Sequence, residues 1–314
     1  MKISVLLPVY NEAQHITACL AALRSQRGAG ADAEIIVIDG GSTDATLAII
    51  ERARVQFGPR LQLLKNPRRT TATGLNLGLA AATGDIIARV DGHSVVPDNY
   101  LDEMAKTLAD PAAWVAGAVP VNGNQSPRAQ AIWAAMVSPF GCGGSPYREP
   151  GAVREVESVQ AAAYRREAFD RVGKFDAAMN YAEDDELNYR VRRAGGKIIL
   201  RGDLSFTYFP RATYAGLMRQ MFNYGGGRMR MILHHPKTFR VRHLLPLLWL
   251  SAQAMHGPAA PVLLMLWALY LLLGLWAVAR RGSPRPLVTL LAFPVMHFAY
   301  GVGFIWAGVR GGFL

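Results

Sequence analysis

An α/β domain followed by a membrane-embedded tail is the fold class this chain predicts, and three observations carry it. Short buried-strand runs alternate with helical periodicity through the first hundred residues. Polar residues recur where each strand run ends. The charge is also divided. Residues 204–314 hold eleven cations and no Asp or Glu, while residues 1–203 hold the other 23 cations against all 23 anions. A neutral globular domain with a basic, apolar tail fits that division; a disordered chain or a free basic domain does not.

Ile3 to Leu7 is an apolar run ended by Pro8, as in a strand covered on both faces. Ile16, Leu20 and Leu23 recur at i, i+4 and i+7, the inner face of a helix. Ile35 to Ile38 is a second buried strand ended by Asp39, and Ser42-Thr43-Asp44 supplies caps for the helix after it. Leu61 to Leu64 reads as a third strand, Gly74 to Ala82 as a helix despite its glycines, and Ile86 to Val90 as a fourth strand ended by Asp91. Repeated strand–helix units predict a doubly wound, mostly parallel sheet. Ligands of such sheets bind beyond the carboxyl ends of the strands. Asn11, Glu12, Asp39, Ser42, Asp44 and Asp91 all fall there and are expected to converge on one cleft. Cys19 and Cys142, with no CxxC spacing, read as buried small apolar residues.

Leu244 to Ala279 is 36 residues without Lys, Arg, Asp or Glu, and Pro286 to Val309 is another 24. One bilayer crossing takes roughly 20 apolar residues. His256-Gly257-Pro258 breaks the first run, which gives hydrophobic segments 244–257, 259–279 and 286–309. Arg280, Arg281 and Arg285 mark the last connecting loop as cytoplasmic. Ile3 to Leu7 is too short for a signal peptide. The expected order is a cytoplasmic domain over 1–210, a basic juxtamembrane segment over 211–243, and a membrane domain over 244–314. Leu244 to Met255 should cross or re-enter as the first half of a hairpin, and 286–309 should cross once, leaving Leu314 outside. The cations lie beside apolar segments and not on an independent basic fold, which argues against nucleic-acid binding. Arg219, Arg228 and Arg230 read first as a basic stretch held by anionic membrane lipids.

Four motifs occur in order: LPVYNE (Leu7 to Glu12), IDGGSTD (Ile38 to Asp44), RVDGH (Arg89 to His93) and EDDEL (Glu183 to Leu187). Together they resemble the family 2 inverting glycosyltransferases with a GT-A fold, over about residues 1–205. MHFAYGVGF, Met296 to Phe304, is similar to the end of a membrane-anchored subgroup that includes succinoglycan-type exopolysaccharide glycosyltransferases. The resemblance implies a nucleotide-sugar donor, usually a UDP-sugar. It assigns Pro8, Tyr10 and Glu12 to the nucleoside slot, Asp39 to the acceptor of a base N–H, and Asn76 to a polar position near the nucleoside. Glycine at Gly40 and Gly41 would let the backbone approach the nucleotide closely. The competing reading of Asp39 and Asp44 is turn and cap chemistry.

Departure of a nucleotide releases a doubly charged diphosphate, which a hard divalent cation can neutralise. The family places a D-x-D motif after the fourth strand, and this chain reads Asp91-Gly92-His93. Asp91 keeps the carboxylate. His93 is either a second ligand, better suited to Mn2+ than to Mg2+, or a hydrogen-bonding loop residue. An inverting transfer needs a base for the acceptor hydroxyl, and the resemblance gives that role to Asp184. Successive helical side chains point about 100° apart, so one or two of the four carboxylates Glu183 to Glu186 face a cleft. Glu183 would support Asp184, Leu187 and Val191 would seat the helix, and Asp185 and Glu186 would be solvated or paired with Arg190 and Arg193.

The Q-x-x-R-W motif of processive synthases is missing; the comparable stretch reads Arg219-Gln220-Met221-Phe222-Asn223-Tyr224. The expectation is therefore transfer of a single sugar to a polyprenyl-diphosphate-linked glycan at the bacterial inner membrane, in exopolysaccharide or cell-surface polysaccharide synthesis. A non-catalytic membrane protein with a decayed transferase domain and a processive synthase are the alternatives. A dinucleotide oxidoreductase is disfavoured because the first turn, Pro8-Val9-Tyr10-Asn11-Glu12, lacks G-x-G-x-x-G.

Overall fold

The computed structural model describes residues 1–142, 146–252 and 260–311. They form two units: Met1–Val121 with Pro146–Phe209, and Asn122–Ser145 with Pro210–Leu314. The sequence places one boundary near residue 210. In the structure residues 122–145 also leave the first unit, because Ile132, Ala135 and Met136 are buried among C-terminal helices.

The first unit begins with β1 (Ile3–Val9), α1 (Ile16–Arg24), β2 (Glu34–Asp39), α2 (Thr46–Phe57), β3 (Leu61–Lys65), α3 (Thr71–Ala81) and β4 (Ile86–Arg89). It continues with β5 (Ser94–Val95), α4 (Tyr100–Thr107) and β6 (Ala113–Asn122). After α5 (Pro127–Val137) and α6 (Pro139–Cys142) of the second unit, the chain returns as β7 (Arg154–Glu155), β8 (Ala163–Arg165), α7 (Arg166–Val172), α8 (Glu183–Arg193) and β9 (Lys197–Tyr208).

The strand order is β3-β2-β1-β4-β8-β6-β9-β5, with β7 against β9. β1 to β4 are parallel to their neighbours among themselves, in register Val9↔Asp39 and Leu6↔Arg89. The other half is antiparallel: β8 against β4 and β6, and β5 and β7 against β9. The expected parallel sheet is thus the N-terminal half of a mixed sheet. Continuous apolar strands arise because both faces are covered. Val5, Leu7, Ile35 and Val37 pack on the side that holds α1 and α4, and Leu6, Ile36, Ile38 and Ile87 on the side that holds α3 and α8. α3 tolerates its glycines because they bring it close to the sheet: a Cβ on Gly78 would lie 2.9 Å from Ile38 Cδ1. Cys19 is buried and Cys142 half-buried, both as free thiols.

The second unit adds α9 (Tyr214–His234), α10 (Leu245–Ala252), α11 (Ala260–Arg281) and α12 (Pro286–Gly311). Its stretches 122–145 and 210–314 contain no Asp or Glu. Its cations turn to aromatic rings and carbonyls instead. Arg128 lies 5.0 Å from the Tyr214 ring, Arg310 4.4 Å from Trp306, and Arg281 donates to the Val137 carbonyl at 2.8 Å. α9, expected as a basic juxtamembrane stretch, is a helix packed backbone to backbone on α12. A Cβ on Gly225 would lie 2.0 Å from the Tyr300 carbonyl oxygen, and one on Gly303 2.0 Å from that of Phe222.

Among the described residues two helices are long and apolar enough to cross a membrane: Pro261–Arg281, of mean hydropathy 2.4, and Pro286–Gly311, of mean hydropathy 1.7. α11 turns Leu264, Met265 and Leu272 outward. The described part of α10, eight residues, is about 12 Å long. The expected break at His256-Gly257-Pro258 and the end at Leu314 lie outside the described residues.

Candidate active site

The carboxyl edge of the parallel strands is laced together by the polar residues that end them. The Asn11 amide donates to Ser42 Oγ at 3.0 Å, the Thr43 amide to Asn11 Oδ1 at 2.8 Å, and the Glu12 amide to Thr46 Oγ1 at 2.8 Å. Asp44 accepts from the Thr46 amide and hydroxyl and from the Ala13 amide, which holds its carboxyl below the usual range. The N-cap position itself is Ala45, without a side-chain cap bond, so Asp44 closes a turn just ahead of the helix where the sequence suggests a cap. Asp39, buried, accepts the Gly41 amide at 2.9 Å and the Ser42 amide at 3.1 Å. Gly41 has φ 86°, a backbone that only glycine adopts without strain. Pro8 is half-buried near the end of β1, and Tyr10 is exposed beyond it. Asn76 uses both ends of its amide on the Phe175 backbone, donating to the carbonyl at 2.8 Å and accepting the N–H at 3.0 Å.

The end of β4 meets the start of α8 through Arg89. Its Nε donates to Asp91 Oδ1 at 2.8 Å and its Nη1 to Glu183 Oε1 at 2.8 Å, with all three side chains at most 14% exposed. Burial would raise the Asp91 carboxyl, but Arg89 and His93 hold it below the usual carboxylate range. His93 Nδ1 sits 2.9 Å from Glu12 Oε1, and its ring meets the edge of Tyr208. The D-x-D-like segment and the first loop are therefore joined.

The four carboxylates at the start of α8 go to separate places. Glu183 takes Arg89. Asp185 accepts the Ser158 hydroxyl at 2.5 Å. Glu186, only 1% exposed, is held at both oxygens by Arg190, at 2.7 Å each. Among the described residues Asp184 accepts only the Asp185 amide, at 2.9 Å. Burial, then Glu183 and Asp185, push its carboxyl up to about 8, against a downward pull from Arg89. Leu187 and Val191 are buried and seat the helix as expected.

Among the described residues four non-glycine residues have left-handed backbone: Asn11, Arg69, Ala161 and Ala182. Asn11 and Arg69 follow β1 and β3, Ala161 precedes β8 beside the end of β4, and Ala182 precedes α8. All therefore fall at this edge. Such strain, about 1–3 kcal/mol each, collects where a site needs fixed geometry. Sequence reasoning missed Arg89, Ser158 and Arg69. A signal for Arg89 was present: it is a cation within the otherwise apolar run Ile86 to Val90.

The model described as Glycosyl transferase family 2 matches residues 4–173. Succinoglycan biosynthesis protein ExoA of Rhizobium meliloti is 33% identical over 313 residues, covering 96% of this chain and 93% of that protein. Dolichyl N-acetyl-alpha-D-glucosaminyl phosphate 3-beta-D-2,3-diacetamido-2,3-dideoxy-beta-D-glucuronosyltransferase of Methanococcus voltae is 24% identical over 240 residues, 73% of this chain and 74% of that one. Among solved structures, mannosyltransferase PcManGT from Pyrobaculum calidifontis, in complex with GDP-Man and Mn2+, matches with TM-score 0.67 at 20% identity. That match covers 98% of this chain and 87% of the other. The chain belongs to glycosyl transferase family 2; it is a glycosyltransferase with a GT-A fold.

Proposed function

We propose that this enzyme transfers a single sugar, with inversion, from a nucleotide-sugar donor, most simply a UDP-sugar, to a polyprenyl-diphosphate-linked glycan in bacterial exopolysaccharide or cell-surface polysaccharide synthesis. The observation that carries the reading is the Arg89 bridge, which ties the donor-side carboxylate Asp91 to the helix start bearing Asp184. The full-length likeness to ExoA supports the pathway class, and the relative acting on a dolichyl phosphate supports a lipid-linked acceptor. The two apolar helices fit a multi-pass protein of the inner membrane, with the first unit in the cytoplasm.

In this mechanism Asp184 removes the proton of the acceptor hydroxyl as that oxygen bonds to the anomeric carbon on the face opposite the nucleotide. The bond from that carbon to the diphosphate breaks, and the nucleoside diphosphate leaves. A carboxyl at about 8 is a stronger base than an ordinary carboxylate and is about half ionised near pH 8. Arg89, by holding Glu183, fixes the helix start that bears Asp184, and Pro8, Tyr10, Glu12 and Asp39 line the nucleoside slot. Asn76 has its amide on the Phe175 backbone and ties α3 to the segment before α8.

Asp91 and His93 fit a divalent cation by the chemistry of their donors, one carboxylate and one imidazole oriented by Glu12. Among the described residues no group of three or more His, Cys, Asp and Glu side chains gathers to hold a metal. Oxygens of the donor would therefore have to complete the shell. Such a cation, Mn2+ or Mg2+, supplies charge neutralisation for the departing diphosphate.

The test is purified enzyme with labelled nucleotide sugars and extracted polyprenyl-linked glycans, with the product anomer read by NMR. Transfer with inverted configuration is expected. A retained configuration, repeated addition of many sugars, or donor hydrolysis that ignores every lipid-linked acceptor would refute the reading.

A further inference from the structure

We propose that Arg228, Arg240, Arg242 and His243 form a binding site for a diphosphate group, the one that joins lipid to glycan in the acceptor. This rests on the reading above, in which the acceptor is diphosphate-linked.

The second unit has no carboxylate side chain of its own, since residues 122–145 and 210–314 contain no Asp or Glu. Cations spread over its surface would need no more than anionic lipid, and Arg219, exposed on α9, fits that description. Arg228 does not. It is half-buried and follows Gly225, Gly226 and Gly227, the buried glycines that bring α9 against α12. Its Nη1 lies 3.2 Å from Met231 Sδ, and its guanidinium reaches the Tyr300 hydroxyl on α12 as a hydrogen-bond donor. Arg242, from the turn that leads into α10, acts on the same hydroxyl. Tyr300 is near the middle of α12, and cations beside the middle of an apolar helix mark the path of a charged substrate.

His243 points to the same ligand independently. It is only 8% exposed. Burial, then Arg228, Arg242 and Arg240, push its imidazole down to about 4, so the ring is neutral near pH 7. Its Nδ1 accepts the Arg240 amide at 3.2 Å. The one ring proton is therefore on Nε2, and that donor has no partner among the described residues. The Arg242 guanidinium is exposed and makes no hydrogen bond or ion pair with any described residue. Three guanidiniums gathered around one buried imidazole repel one another until an anion joins them. A diphosphate is the matching anion: it is multiply charged, and its oxygens accept from several arginine forks at once.

The experiment titrates the full-length enzyme in neutral detergent with farnesyl diphosphate and, in parallel, with UDP and Mn2+. Wild type should bind farnesyl diphosphate. Arg242→Gln and Arg228→Gln should each weaken that binding about 10-fold or more, the loss of a charge-assisted hydrogen bond, and leave UDP binding unchanged. Arg219→Gln should bind both as wild type does, and excess phosphatidylglycerol in the micelles should not displace the diphosphate. Arg242 is exposed, so its variant tests the site even where Arg228→Gln fails to fold. Equal weakening by Arg219→Gln, or displacement by phosphatidylglycerol, would reduce the cluster to a surface for anionic lipid and overturn the proposal. No binding by wild type, no weakening by Arg242→Gln, or a loss of UDP affinity instead would overturn it too. An enzyme that binds farnesyl diphosphate as expected yet glycosylates no diphosphate-linked lipid would instead refute the acceptor reading and leave the site in place.

Discussion

Replacing Asp184 by Asn should stop transfer and make the first unit harder to melt. Burial, with Glu183 and Asp185, pushes the Asp184 carboxyl up to about 8. One pKa unit is about 1.4 kcal/mol, so keeping this group ionised in the fold costs about 6 kcal/mol before solvent screening. The side chain is only half-buried, and screening at its open edge leaves about 2–3 kcal/mol. The folded value lies above the unfolded one, so the penalty is absent below the unfolded value near 4, where stability is fully present. That stability is lost as pH rises toward 8, and the penalty is level above that. Asn carries no charge and keeps an oxygen for the Asp185 amide now bound at 2.9 Å. Its advantage over wild type should grow from about pH 5 to about pH 8, reaching roughly 4–10 °C in Tm. Transfer should fall about 10²- to 10⁴-fold with donor affinity unchanged. In wild type, kcat/KM should climb with pH through a limb near 8. The assays are melting in detergent at two pH values, donor titration, and initial rates at saturating acceptor. A variant that melts lower at alkaline pH, or one with near wild-type kcat, would refute the reasoning.

Arg89→Gln should strand the Asp91 and Glu183 carboxylates, now paired at 2.8 Å each, and destabilise the fold by about 3–5 kcal/mol; Arg89→Lys should recover part, both read by chemical denaturation. Asp91→Ala should abolish divalent-dependent donor binding, and His93→Asp should shift the metal preference from Mn2+ toward Mg2+; full activity in EDTA would contradict both. Gly303→Ala, whose Cβ would meet the Phe222 carbonyl oxygen at 2.0 Å, should disrupt the α9–α12 pair, whereas Gly226→Ala, with its nearest neighbour at 3.5 Å, should be tolerated; detergent-phase melting compares them. Cysteine placed at Ser283 should be labelled only from the cytoplasmic side, and external labelling would overturn the expected topology.

The sequence by itself determined whatever is settled within one strand or one turn of helix. β1 and β2 are legible because strands buried on both faces must be apolar throughout. The Asp44 turn before α2 is legible because its main partner is two residues away. The Glu186–Arg190 pair is legible at i, i+4. The long apolar helices are legible because a bilayer crossing is a matter of length and composition. Tertiary structure decided the partners. Arg89 reaches Glu183 across 94 positions, His93 reaches Glu12 across 81, and Asn76 is taken by Phe175 across 99. It also decided that half the sheet is antiparallel, since β5, β7 and β8 are two or three residues long and carry no periodicity. It moved residues 122–145 into the second unit as well. The physical reason is common to these cases. A buried charge or amide must find a partner because water is excluded, and any chemically suitable group will serve. Composition thus states that a partner is needed, and only the packed chain selects which one.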